Sequence, residues 1–154
     1  NNQDPFKVTS EESNLNPEDY SKTLGLQTRM TNRAYRALEL FNAYDVISEK
    51  TLMDIKYDNQ YSLDSRSYKY IETIFDETFK DTDLQEAQAV LKRWDLKTNL
   101  DNRSATLGTC VLGPEWLAEQ NDQDPPKALD IFKKCVKDVK KSFKIGRASC
   151  RERV

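Results

Sequence analysis

The sequence contains no histidine, and only four glycines and two methionines among its 154 residues. Without imidazole there can be no Ser–His or Cys–His relay and no His-based metal set. Any catalysis carried by this stretch therefore uses other groups or shares a site with residues outside it. The few glycines form no loop that could cradle a phosphate, and no metal-motif spacing occurs. No run approaches the roughly 18 apolar residues of a membrane span. The opening residues, Asn1-Asn2-Gln3-Asp4-Pro5-Phe6, lack the basic-then-apolar order of a signal peptide and lack an initiator Met. Charged residues make up 32% of the chain and hydrophobic ones 37%, which suits one domain or part of one, with a thin core.

The text changes character after Lys144, where Ile145-Gly146-Arg147-Ala148-Ser149-Cys150-Arg151-Glu152-Arg153-Val154 follows a strongly periodic helix. That string reads as a one-frame translation of a common short-read sequencing adapter, against the plainer reading of a native basic tail. Residues 145–154 are accordingly set aside as a non-native tail, and the chain reads as an internal fragment of a larger protein. The tail carries a net +2, so the formal charge of −2 becomes −4 over residues 1–144. That mild acidity carries no nucleic-acid footprint. Cys110 and Cys135 remain, in no metal-like spacing; they indicate no disulfide framework and leave the redox compartment open.

Residues 1–27 form an irregular lead-in punctuated by Pro5, Pro17 and Gly25. From Thr28 the pattern is helical, with Met30, Ala34, Ala37, Leu38 and Phe41 on one face. A second helix is predicted over Ser48–Tyr57 with Ser48 as its cap, and a third over Asp64–Phe79 with Tyr68, Ile71, Phe75 and Phe79 in a stripe. The string Thr82-Asp83-Leu84-Gln85 predicts a capping box for a fourth, which stacks Leu84, Ala87, Leu91 and Trp94. A fifth begins at Asp101 and stops at Gly113-Pro114, leaving Glu115–Pro126 as a loop. The last, Pro126–Lys144, holds Leu129, Phe132, Val136, Val139 and Phe143 at 3-4-3-4 spacing, and its Lys133, Lys134, Lys137, Lys140, Lys141 and Lys144 read as a solvated face. The best candidate for a strand, Gly108–Leu112, is short. The fold class expected is mainly α, an irregular array of five or six helices.

Three separated stretches resemble one family. Asn2-Gln3-Asp4-Pro5-Phe6 is similar to the Asn-x-x-Pro-Phe segment of penicillin-acylase-type enzymes, the group that includes acyl-homoserine-lactone acylases. Arg29-Met30-Thr31-Asn32-Arg33-Ala34-Tyr35-Arg36-Ala37-Leu38-Glu39-Leu40 follows at about the family's distance and is the most specific of the three. Leu91-Lys92-Arg93-Trp94-Asp95 with Asp101-Asn102-Arg103-Ser104-Ala105 resembles its Trp-Asp…Asp-Asn-Arg stretch. The likeness covers roughly residues 1–112, and the final helix adds little to it.

The resemblance implies an amidohydrolase with an αββα N-terminal-nucleophile sandwich, of whose large chain residues 28–144 would be a helical segment. Such an enzyme uses the first-residue Ser of that chain as nucleophile and its α-amine as base; that Ser would precede Asn1. Asn2 matches the amide donor of the oxyanion hole, with Asn1 a rival one residue away. Arg29 matches the arginine that orients the site, a task suited to the fixed fork of a guanidinium. Taken without the family, Asn2 is a turn residue and Arg29 a solvated helix-start charge. The implied partners are a small N-acyl substrate and the remaining acylase chains, with no nucleic acid, no membrane span and no cofactor. Some relatives hold a structural calcium, for which no ligand set is visible here. The implied location is periplasmic or secreted. The alternative class is a helical protein-interaction module with no catalytic activity.

Overall fold

The computed structural model describes residues 15–25, 30–121 and 123–142. Among them the structure is mainly helical, with six α-helices, no strand, and a single antiparallel bridge between Gln60 and Lys97. The helices are α1 (Asn32–Asn42), α2 (Glu49–Lys56), α3 (Arg66–Glu72), α4 (Thr82–Lys92), α5 (Arg103–Gln120) and α6 (Ala128–Ser142). Two compact units divide the chain. The first takes the described residues up to Asp58 together with Ser62–Arg66; the second takes Asn59–Tyr61 and the described residues from Ser67 onward.

In the first unit, short 3-10 turns at Pro17–Asp19 and Lys22–Leu24 precede α1. The second turn closes on Gly25 at φ +65°, a left-handed backbone that a residue with a Cβ resists. Helix α1 starts later than Thr28, because Thr31 stands extended and its hydroxyl accepts from Ala34 N at 3.3 Å. Ser48 caps α2 as its sequence predicts, accepting from Thr51 N at 3.1 Å. The two helices touch one another, yet neither contains a fully buried residue.

The second unit has the apolar core. Helices α4, α5 and α6 pack on one another, and α3 with the turns after it adds Tyr70, Ile71 and Ile74. Ala87, Val90 and Leu91 line α4, with Trp94 just past its end; Ala105, Leu107, Val111 and Leu112 line α5; Ala128, Phe132, Cys135 and Val136 line α6. Phe132 is fully buried and tilts against Phe79, with ring centroids 5.5 Å apart. Gly108 lets the Trp94 indole lie on the α5 backbone: a Cβ there would fall 2.3 Å from the ring.

Four sequence expectations are corrected. Helix α3 ends at Glu72 instead of Phe79, because α4 answers the carbonyls that follow it. Gln88 Nε2 donates to the carbonyls of Ile74, Phe75 and Glu77 at 2.8, 3.2 and 2.8 Å. The cap of α4 is Asp81, accepting from the amides of Asp83 and Leu84 at 2.8 and 3.4 Å, while Gln85 Nε2 reaches instead to the Phe79 carbonyl. So no capping box forms at Thr82. Helix α5 passes through Gly113-Pro114 to Gln120, absorbing Gly108–Leu112 and Glu115–Gln120. Pro114 offers no amide to the carbonyl four residues back, but buried Leu112, Glu115 and Ala118 hold the helix on both sides of it. Finally, Cys110 and Cys135 form a disulfide between α5 and α6.

Candidate functional site

Asn2 and Arg29 lie outside the described residues, as do Phe143, Lys144 and the tail. What the structure does place is the rest of the most specific block, in α1, and the whole of the Trp-Asp…Asn block.

On α1, Asn32, Arg36 and Glu39 follow one another at spacings of four and three, so they share a helix face. Arg36 forks onto Asp58, donating from Nε to Oδ2 at 2.9 Å and from Nη2 to Oδ1 at 2.8 Å. Its Nη1 donates to Glu39 Oε2 at 2.7 Å. The other Glu39 oxygen accepts from Ser62 Oγ. Ser62 N donates to Asn32 Oδ1 at 2.8 Å, Asp64 N to Ser62 Oγ at 3.1 Å, and Ser65 Oγ to the Ser62 carbonyl at 2.7 Å. Hydrogen bonding to Asp58 foremost, then to Glu39, holds the guanidinium charged far beyond its ordinary range, outweighing its partial burial. The Arg36 and Asp58 side chains are only 20% and 16% exposed, which is what makes a forked pair more than a surface ion pair.

Chemically this network holds atoms in place; it does not attack. Ser62 is 1% exposed, which keeps a substrate from its hydroxyl, and the Glu39 carboxylate beside it also holds the Arg36 guanidinium. One partner of Arg36 is local, since Glu39 lies three residues on along the same helix. The other, Asp58, is 22 residues away, which no local spacing reveals.

The Trp-Asp…Asn block folds into a clamp over the α4–α5 connection. Trp94 Nε1 donates to the Lys97 carbonyl at 2.8 Å, and Lys97 N donates to Asp95 Oδ1 at 3.0 Å. Asn102 Nδ2 donates to Asp95 Oδ1 and the Lys97 carbonyl at 2.8 and 3.0 Å. Its Oδ1 meanwhile caps α5, accepting from the amides of Ser104 and Ala105 at 3.1 and 3.2 Å. Leu96 adopts φ 63°, unusual for a residue with a side chain, and is buried in doing so. Its carbonyl accepts from Tyr61 N at 3.0 Å, and Tyr61 meets the Trp94 ring edge-on at 5.7 Å. The spacing from Trp94 to Asn102 is thus a folding constraint.

Glu115, expected in a loop, is fully buried on α5, where Ser67 Oγ donates to its Oε2 at 3.0 Å. Nearby Tyr70 donates to the Pro126 carbonyl at 2.8 Å. Burial first, then the charges of Glu115 and Asp130, pushes the Tyr70 phenol up to about 12. Nothing in the sequence around Pro114 signals this buried carboxyl, because the proline reads as a stop. Lys133, Lys134, Lys137, Lys140 and Lys141 are exposed, with Lys140 paired to Asp83 and Lys141 to Asp138. Among the described residues no group of three or more His, Cys, Asp or Glu side chains is placed to hold a metal, and no helix is long and apolar enough to cross a membrane. Comparison with family models, curated proteins and solved structures finds no match to the chain.

Proposed function

We propose that residues 1–144 are a helical segment of the large chain of a penicillin-acylase-like amidohydrolase. The observation that carries this reading is the ordered set of three blocks at Asn2–Phe6, Arg29–Leu40 and Leu91–Ala105. The parent hydrolyses the amide of an N-acyl substrate. Its terminal Ser attacks the acyl carbon while the α-amine of that Ser takes the hydroxyl proton and returns it to the departing amine. Water then releases the acid from the acyl-enzyme. Asn2 donates its amide to the oxyanion, and Arg29 orients Asn2 and the nucleophile's amine. A neutral amide suits that place because it stabilises developing charge without adding one of its own. The interlocked face of α1 supports the reading. Asn32, Arg36 and Glu39 belong to the same block as Arg29, and their bonds stiffen α1, which follows it in the sequence.

The test begins with the reading frame upstream of Asn1. A self-processing Gly-Ser junction followed by a Val- and aromatic-rich segment is expected, whereas an unbroken run of further helix pairs sinks the proposal. In the parent protein, Asn2→Ala should lower kcat by about 10²–10³-fold with the fold retained. A second reading, a helical interaction module without catalysis, is favoured by the self-contained core of the second unit. The two part on the unfolding of residues 1–144 alone: a sharp cooperative transition supports the module, a broad one the enzyme fragment.

A further inference from the structure

Helices α5 and α6 are joined covalently at Cys110 and Cys135, whose Cα atoms stand 6.0 Å apart across a sequence separation of 25 residues. We infer that this bond is a reducible lock on α6, and that it is opened by attack on the sulfur of Cys110. The inference does not depend on the activity proposed above.

Two observations set the direction of attack. Cys135 is 4% exposed and sits between Phe132 and Val136 on the inward face of α6, sealed by the core. Cys110 is only partly buried, at the edge of the same core. Thiol–disulfide exchange requires an incoming thiolate to approach one sulfur, with the other as leaving group, and access decides which. An external thiolate therefore bonds to Cys110 Sγ, and the Cys110–Cys135 bond breaks. Cys135 departs as a thiolate that takes a proton from water. A second external thiol then displaces Cys110 from the mixed disulfide. In sum, two glutathione thiols become glutathione disulfide, and one protein disulfide becomes two protein thiols, with two electrons and two protons transferred.

Three features weaken the released helix against the packing of Ala128, Phe132 and Val136 that still holds it. It is 15 residues long, near the lower limit for an isolated helix in water. Its outer face carries Lys133, Lys134 and Lys137, like charges at spacings of three and four, while Lys140 is paired to Asp83 and Lys141 to Asp138. The connection from α5, between Asn121 and Ala128, contains no helical turn among its described residues, though Tyr70 bonds its Pro126 carbonyl. With the bond intact the closed loop offsets these losses; cut, it returns that freedom to the chain. A chain built this way belongs where reducing thiols are scarce.

The experiment uses the full chain carrying Cys150→Ala, so that Cys110 and Cys135 are the sole cysteines. After air oxidation, non-reducing digestion and mass spectrometry should recover the Cys110 and Cys135 peptides linked. Two free thiols in the folded protein would overturn the assignment. Brief exposure to reduced glutathione, quenched with acid, should leave the adduct on Cys110; an adduct mainly on Cys135 reverses the direction and overturns it. Reduction by dithiothreitol should then speed hydrogen exchange of the α6 amides on the order of a hundredfold while α4 changes far less. Unchanged α6 protection, or equal loss across α4 and α6, rejects the lock.

Discussion

The two units of this chain are held by different physics. In the first, α1 and α2 bury no residue completely, and Phe41, Tyr44, Val46, Ile47, Leu52, Met53 and Tyr57 remain exposed. What fixes this unit is a chain of polar bonds running from Asp58 through Arg36 and Glu39 to Ser62 and Asn32. In the second, every hydrophobic residue of the core lies on α3–α6 or the turns between them, and a disulfide closes the α5–α6 pair. Apolar burial is non-directional and sums over many contacts, so the cost of losing one group follows the group's size and the cavity it leaves. A polar network depends on each member, since a half-satisfied one leaves desolvated groups behind. A core substitution in the second unit should therefore cost what its own cavity costs, whereas one substitution in the first should weaken several bonds together.

The sharpest way to break the second unit is Phe132→Ala, which empties the site against Phe79. A loss of about 3–5 kcal/mol is expected in urea unfolding, and a loss below about 1 kcal/mol would deny that the core is centred there. In the first unit, Arg36→Ala should cost about 2 kcal/mol, read as faster hydrogen exchange in α1. A double-mutant cycle with Asp58→Ala refines this: strong coupling is expected, and additivity within about 0.3–0.5 kcal/mol would show that the fork does nothing. Asn102→Ala removes a cap and two amide donations at once and should cost about 1 kcal/mol, with Asn102→Asp recovering the cap alone. Recovery of full stability by Asp would mean that the bonds to Asp95 and Lys97 are idle.

The smallest effect is on pH. The Tyr70 phenol ionises near 10 in an open chain and is pushed up to about 12 in the folded one, chiefly by burial. Across that window the folded protein keeps a proton that the unfolded chain has released. The contribution is thus full below pH 10 and is lost as pH rises towards 12. Tyr70→Phe should flatten this alkaline decline, by on the order of 1 kcal/mol once the shift is discounted for solvent screening of the phenol. An equally steep decline in the variant would assign it to other groups.

The sequence carried much of the helical plan and little of what ties it together. Ser48 was readable as a cap, and the stack of Ala87, Leu91 and Trp94 as a buried stripe, because both signals are local. The mainly α class followed from the same periodicity. Pro114 misled because its missing amide is a local fact, while the burial of Leu112, Glu115 and Ala118 that overrides it is tertiary. The end of α3 was missed for the same reason: nothing within Arg66–Phe79 announces that Gln88 will take the carbonyls beyond it. The disulfide was illegible too, since two cysteines 25 residues apart have no spacing rule until α5 and α6 are laid side by side. Of the site, Asn2 and Arg29 stand on resemblance, and the polar face of α1 became visible only when Asp58 was placed beside Arg36.

Position 108 shows how narrow one tolerance is. The indole of Trp94 is 6% exposed, pinned by its bond to the Lys97 carbonyl, and seated where a side chain at 108 would begin. One added carbon would act as a wedge between the α5 backbone and the ring that follows α4. Glycine here works as a gauge block that sets the separation of two helices. Any sequence drift at this position would be read out directly as a change in their spacing.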